Sequence, residues 1–310
     1  MNILIIGNGN HTNRRIIPAL NKIKKITSIT VIDRNSKNQF LSQSKKINIT
    51  NSETILKNQK KFKLIIIASY PSAHIENFIE LKDKGDSFIF EKPISNDLKF
   101  MIGPKFKKLY EEKKIIESLT FFHHPFWKYL NELIQQNNFD VLESKFTIPN
   151  NFALNDFRVN KHLGGSTILD NGIYPISCLV ELLKINIDNL VTKKINYDTK
   201  LNIDTFGKAI FTNENISKID IQWGFSHEYK NYIKLKNKSL EIEIPFIYSK
   251  PEKFIPKVFI NKTDEVVFRN IDQFRKFYSS FLNKNDNDFF YSDYKSIYNR
   301  YHLMEKLIND

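Results

Sequence analysis

Asp170 and Tyr174 stand four residues apart in a stretch, His162 to Leu183, that opens with Gly164-Gly165 and runs on as an apolar repeat. Ile168, Leu169, Ile173, Ile176, Leu179, Val180 and Leu183 recur at three- and four-residue spacing, which predicts a helix. On a helix, residues four apart share a face, so this carboxylate and this phenol can address one point. Held beside a glycine turn, such a pair suits proton transfer to or from a substrate hydroxyl. The other reading is a buried helix whose Tyr and Asp bond only to backbone. The rest of the chain decides between the two.

A pair that moves a proton needs a second unit to hold what accepts or supplies electrons, and the first third of the chain has that form. The apolar run Asn2 to Ile6 reads as a buried strand, followed at once by Gly7-Asn8-Gly9-Asn10-His11-Thr12. A helical pattern (Ile16, Ile17, Leu20, Ile23) comes next, then the strand Ile29 to Ile32, ending in Asp33. Strand, glycine turn, helix, strand and acid make a dinucleotide-binding arrangement. Gly7 permits the sharp turn and Gly9 lets the backbone reach a pyrophosphate, near the positive end of the helix. Asp33, about twenty residues on, is placed to accept hydrogen bonds from the adenosine ribose. Thr12 replaces the third glycine, which predicts slightly looser helix–strand packing. Asp33 favours NAD because a carboxylate repels the 2′-phosphate of NADP; Arg34 keeps NADP open, since its guanidinium can hold that phosphate.

The alternation of strand and helix continues. Leu64 to Ala68 is a strand, Ser69-Tyr-Pro71-Ser-Ala-His74 opens a helix, and Ser87 to Phe90 delivers Glu91-Lys92-Pro93 at its carboxyl end. Ligands of open parallel sheets bind beyond those ends. Lys92 there contacts a nicotinamide ribose or a substrate oxygen, or is a solvated surface lysine; position alone leaves the readings even. The apolar run 115–122 reads as a strand leaving the first domain, and His123-His124 then starts a helix through Ile134. No nearby residue completes a metal site for the two histidines, so no metal is expected. Arg158 either grips a carboxylate or phosphate of the substrate or forms a structural salt bridge, with equal support.

Composition narrows the class. The 310 residues suffice for two domains, the hydrophobic share of 41% is ordinary, and no apolar run would span a bilayer. No signal peptide is read at the start. Cys178, the single cysteine, lies in the helical repeat and reads as core; a reducing, cytoplasmic setting is expected. The net charge of +13 comes mainly from scattered lysines, with only seven arginines, which argues against a nucleic-acid interface. It can still draw in an anionic substrate. Beyond the central helix the period changes. Lys218 to Trp223, Tyr232 to Lys236 and Leu240 to Ile244 alternate polar and apolar, predicting half-buried strands joined by hairpins. Trp223, Phe225 and Tyr229 are read as an aromatic face for oligomer contacts. Helices are predicted over 271–282 and 291–308.

These features together resemble the glucose–fructose oxidoreductase and inositol dehydrogenase family. The resemblance spans essentially the whole chain and rests on Gly7-x-Gly9-x-x-Thr12, Asp33, Pro71-x-x-His74, Glu91-Lys92-Pro93, Asp156-Phe-Arg158, Gly164-Gly165-Ser166 and Asp170-x-Gly172-x-Tyr174. It implies an α/β chain: a Rossmann domain with a doubly wound parallel sheet (1–120), and a substrate and oligomerisation domain with an open, mostly antiparallel sheet (121–270). C-terminal helices (271–310) would pack back on the first. It implies NAD(P)-dependent hydride transfer on a sugar or nucleotide-sugar alcohol/ketone pair, as in surface-polysaccharide pathways, with the active site between the domains. By position Lys92, Asp170 and Tyr174 are the catalytic residues. Tyr174, where many relatives carry histidine, exchanges the hydroxyl proton, and Lys92 holds that oxygen and lowers the phenol's ordinary pKa of about 10. His123, His124 and Arg158 border the substrate. Ser69, Pro71, His74, Glu91 and Lys92 join Gly7, Gly9, Asn10, His11, Thr12, Asp33 and Arg34 around the cofactor. The partner set expected is a sugar-like small molecule, no nucleic acid, no membrane, and a homodimer or homotetramer through the C-terminal sheet. A silent dinucleotide-binding regulator of the same fold, or an enzyme that retains and recycles its cofactor, remain the alternatives.

Overall fold

Runs of Ile, Leu, Val and Phe with no polar alternate suit strands covered on both faces, and the first 120 residues supply five of them. The structure, a computed structural model, describes the chain except residues 34–46, 51–54, 56–60, 154, 227, 252–253, 284–291 and 310. In its first unit, Met1–Thr120 with Asp272–Tyr291, six strands are β1 (Asn2–Ile6), β2 (Ser28–Ile32), β3 (Ile47–Thr50), β4 (Leu64–Ile67), β5 (Ser87–Phe90) and β6 (Lys114–Glu117). They lie in the order β3-β2-β1-β4-β5-β6, every pair parallel. The order reverses between β1 and β4, so the loops at their carboxyl ends flank an open crevice. Ile3, Ile5, Ile29, Val31, Leu64, Ile66 and Ile89 pack under Ile16 and Leu20 on one side of the sheet, together with Phe277 and Tyr278.

The second unit is Phe121–Ile271 with Ser292–Asp310. Its strands are β7 (Val141–Pro149), β8 (Leu190–Asp198), β9 (Ile203–Phe211), β10 (Lys218–Ser226), β11 (Lys230–Lys236), β12 (Glu241–Pro245), β13 (Lys257–Ile260) and β14 (Asp264–Val267). They form one sheet, β14-β13-β12-β11-β7-β10-β9-β8, antiparallel except where β7 runs parallel to β10. The helix Ile173–Leu183 brings its apolar stripe to β7 and β10.

Two helical segments begin with a wide π turn, Thr12–Ile16 before Ile17–Asn21 and Ile168–Gly172 before Ile173–Leu183. Each has a proline shortly downstream, Pro18 and Pro175. A helical proline lacks the N–H and crowds the carbonyl four residues back, here Arg14 and Asn171, and a π turn opens the backbone at that carbonyl.

The structure corrects several expectations. The strand read over 115–122 ends at Glu117, and Thr120–His123 is a short 3₁₀ turn. Phe121 and Phe122 are buried by aromatic rings rather than by a strand ladder, a distinction that an apolar run does not carry. The strands read at 218–223 and 232–236 are not hairpin neighbours, because β7 lies between them. Trp223 and Phe225, read as an oligomer face, are core at 0% and 7% exposure. The indole fits because Gly172 and Gly207 carry no Cβ; one at either position would collide with it. Residues 271–310 do not stay together. Helix Gln273–Leu282 belongs to the first unit, while helix Tyr294–Asn309 belongs to the second. There Arg300, fully buried, pairs with Glu181 of helix Ile173–Leu183 at 3.4 Å, and Lys193 caps the carbonyls of Lys306 and Leu307 at 2.7 and 3.1 Å. Tyr291, the predicted start of that helix, lies outside the described residues.

Candidate active site

At the carboxyl edge of the parallel sheet, four strand ends bring the candidate residues of the first unit together. Gly7 follows β1 with φ +108°, and a Cβ there would overlap the Ala68 carbonyl after β4. Only glycine suits both demands. Gly9 is exposed, with nothing within 4 Å of the place a Cβ would take, so ligand phosphates can approach its backbone. Thr12 is buried, and its hydroxyl donates to the Gly7 carbonyl at 2.9 Å. Asp33 directly follows β2; Asn8 Nδ2 donates to its Oδ2 at 3.0 Å, and Asn13 Nδ2 ties Asn8 and the Gly9 carbonyl into the same turn. Asn10 is exposed beside Gly9. Arg34 falls outside the described residues. A glycine turn with an open face and an acid at the next strand end fits a dinucleotide by shape and donor set.

The neighbouring strand ends complete this edge. His11 Nε2 lies 3.3 Å from Glu91 Oε2, with the ring edge-on to Phe274. Burial pushes the Glu91 carboxyl up, but His11, Ser118 and the Lys92 ammonium outweigh it and hold the group below the usual carboxylate range. Lys92 follows Glu91 and is joined to Pro93 by a cis peptide bond. His74, expected at the cofactor, lies behind the loops of this edge. It is 1% exposed, and its two ring nitrogens face the Pro93 and Ser69 carbonyls, each at 2.9 Å. Burial pulls its pKa below the usual value, so the neutral ring donates to one carbonyl at a time. It ties the loop after β4 to the loop after β5. Asn77, also buried, donates to Ser69 Oγ at 2.8 Å, and Pro71 is buried at the start of a 3₁₀ turn.

In the second unit Asp170 lies in the π turn and Tyr174 in the first turn of the helix that follows. The Tyr174 ring is half-buried among Phe121 (5.5 Å between centroids), Phe146 (5.0 Å, near-perpendicular) and Tyr248 (5.6 Å). One edge-to-face contact, with Phe146, and two tilted ones fix the ring's plane and so the direction of its hydroxyl. Tyr248 is pinned in turn by Ser144 Oγ. Cys178, beside Tyr248, is buried and its thiol is pushed up by burial, which agrees with a core role. The loop before the π turn is anchored by Asp204 on β9, whose carboxylate accepts from Ser166 Oγ, Thr167 Oγ1 and the Ile168 N–H. Gly165 packs its α-carbon on the Phe157 and Arg158 carbonyls, leaving no room for a side chain. Arg158 Nε donates to Asp170 Oδ2 at 3.2 Å. His123 is buried at the end of the 3₁₀ turn. His124 is buried as the N-cap of helix Pro125–Gln136, its Nδ1 accepting from the Phe126 N–H at 3.2 Å. Burial, and then the nearby Lys250 charge, hold its pKa down at about 3. Among the described residues no three His, Cys, Asp or Glu side chains form a metal-ligand group, and no helix is long and apolar enough to cross a membrane.

Asn8, Asp204 and the ring cluster around Tyr174 carry no local sequence signal, because their partners lie far along the chain or on another element. Arg158 sits in a motif legible from the sequence, but its partner Asp170 is twelve residues on.

Comparison with known proteins bears on both units. Residues 1–116 match the family model GFO_IDH_MocA, described as an oxidoreductase family with an NAD-binding Rossmann fold. A dTDP-3,4-didehydro-2,6-dideoxy-alpha-D-glucose 3-reductase of Actinomadura kijaniata is 23% identical over 203 residues, 62% of this chain. The enzyme of the same name from Streptomyces antibioticus is 23% identical over 153 residues, 48% of this chain. The aligned regions span 59% and 46% of those proteins. Among solved structures, KijD10, a 3-ketoreductase from Actinomadura kijaniata in complex with NADP and TDP-benzene, superposes with a TM-score of 0.83. Identity is 18%, covering 99% of this chain and 96% of that one. Aldose-aldose oxidoreductase from Caulobacter crescentus, in complex with glycerol, gives a TM-score of 0.78 at 12% identity, covering 99% and 96%. The two-unit fold is therefore that of these oxidoreductases.

Proposed function

We propose that this chain, whose residues 1–116 match a family of oxidoreductases with an NAD-binding Rossmann fold, is an NAD(P)-dependent reductase of a keto sugar carried on a nucleotide. The observation that carries this reading is the gathering of the glycine turn, Asp33 and Lys92 at one carboxyl edge of the parallel sheet, where such sheets hold dinucleotides. The resemblance to 3-reductases and to a 3-ketoreductase complexed with TDP-benzene supports the substrate class.

Gly7, Gly9 and Thr12 would shape the pyrophosphate turn and Asp33 would receive the adenosine ribose. Held there, a reduced nicotinamide would supply the hydride that a carbonyl carbon needs. Tyr174 gives its phenolic proton to the carbonyl oxygen, so the ketone becomes an alcohol and the phenolate is later reprotonated from solvent. A phenol is protonated at neutral pH, which favours the reductive direction. Lys92, just beyond the carboxyl end of β5, supplies positive charge to steady developing negative charge. Asp170 orients the sugar through its hydroxyls. Asp33 speaks for NADH over NADPH by repulsion of a 2′-phosphate, although the KijD10 complexes contain NADP.

The test is turnover of dTDP-3,4-didehydro-2,6-dideoxy-α-D-glucose with either reduced dinucleotide, followed by loss of nicotinamide absorbance. Tyr174→Phe should lower kcat by about a hundredfold or more, the size of one positioned general acid, with dinucleotide affinity unchanged. Full activity in that variant removes Tyr174 from the proton role. Tight dinucleotide binding with no turnover on any keto sugar would favour a regulator of the same fold.

A further inference from the structure

Arg158 donates from Nε to Asp170 Oδ2 at 3.2 Å and from Nη1 to both oxygens of Asp156, at 3.1 and 3.2 Å. Asp156 Oδ1 also accepts the Arg158 backbone N–H at 2.9 Å. The guanidinium lies against the rings of Phe152 and Phe157, 5.3 and 4.7 Å from their centroids. A guanidinium is a rigid plane of five donors. Here one carboxylate holds one part of that plane, two aromatic rings bear on the cation, and what it offers to Asp170 is thereby fixed in direction. The backbone under Asp170 is set independently, through Asp204 and the bonds it accepts at residues 166–168. With Oδ2 held, the Asp170 carboxylate cannot turn about its last bond without breaking a charge-assisted contact.

The geometry points to Arg158 as a positioning residue for Asp170, which keeps that carboxylate ionised and aimed, and not as an anchor for an anionic group of the substrate. Nε and Nη1, two of the three guanidinium nitrogens, already face carboxylates of this chain, and those two negative charges outweigh the single positive one that would attract a phosphate. This inference rests on the proposed role of Asp170, and its test separates the two.

Carbon-13 carboxyl NMR of the full chain labelled at aspartate, without ligand, follows the signal that disappears in Asp170→Asn. Arg158→Gln should raise the titration midpoint of that signal by about one pH unit or more, the shift an adjacent arginine imposes on a carboxyl. Arg158→Lys, which keeps the charge but not the fork, should lie between. An unmoved midpoint in a cooperatively folded Arg158→Gln overturns the inference. If the Gln variant does not fold, Arg158→Lys decides by the same reading. Kinetics with the dTDP-linked keto sugar give the second measurement. A positioning loss lowers kcat about tenfold and leaves the substrate KM within twofold. A raised KM with kcat kept would show an anion anchor and overturn the inference. Full activity in Asp170→Asn would instead remove Asp170 from the site, while the titration still reports on the pair.

Discussion

Thr12 shows how one side chain stands in for a glycine. The third glycine of a dinucleotide turn lets helix and strand approach, and a threonine there predicts looser packing. Thr12 is 1% exposed, with its hydroxyl satisfied by the Gly7 carbonyl it helps to hold. At the same scale Asp33 sets a prediction. Its carboxylate, steadied by Asn8 at 3.0 Å, can bond a ribose diol but not a phosphate. Asp33→Ala should weaken NADH by about tenfold or more, the worth of a hydrogen bond to a charged group, and NADPH by less. Titration calorimetry with both dinucleotides checks this. Equal losses would cancel the preference for NAD.

At the scale of elements, the helix Pro125–Gln136 depends on a cap that must stay neutral. His124 Nδ1 accepts from the Phe126 N–H, which an imidazolium cannot do. Burial, and then the charge of Lys250, hold its pKa at about 3 against an ordinary 6.5. Lys250 is itself pulled down to about 7 by burial. Above pH 6.5 the ring is neutral in folded and unfolded chains, and its contribution is complete. As pH falls from 6.5 toward 3 the unfolded chain takes up a proton that the folded chain refuses, so stability is lost. His124→Asn keeps an acceptor at the cap without titrating in this range. Its melting temperature should fall less steeply than that of the wild type between pH 6.5 and 4. Parallel slopes in the two proteins would contradict the neutral cap.

For the whole molecule the net charge of +13 matters more than its individual surface pairs, since exposed ion pairs add little each. A positive field raises the encounter rate with an anionic substrate and is screened by salt. The value of kcat/KM for a nucleotide sugar should fall severalfold as ionic strength rises from about 0.05 to 0.5 M, where the Debye length shrinks to a few ångströms. An uncharged keto sugar should show no such dependence. A flat response with the charged substrate would remove steering from the account.

Local periodicity and turn chemistry determined a great deal by themselves. β1, its glycine turn, β2 and Asp33 are legible because each depends on near neighbours: an unbroken apolar run, a backbone angle only glycine adopts, a fixed spacing. The helix bearing Asp170 and Tyr174 is legible for the same reason. Tertiary structure alone decided which partners met. It put β7 between β10 and β11, buried Trp223 against two glycines, and drew the last helix to the second unit through Arg300 and Glu181, 119 residues apart. It also gave Arg158 to Asp170 and Asp156. A repeat of apolar residues reports which face is buried, whereas pairing between distant strands and charges follows from what the folded chain brings within a few ångströms, and no local pattern encodes that.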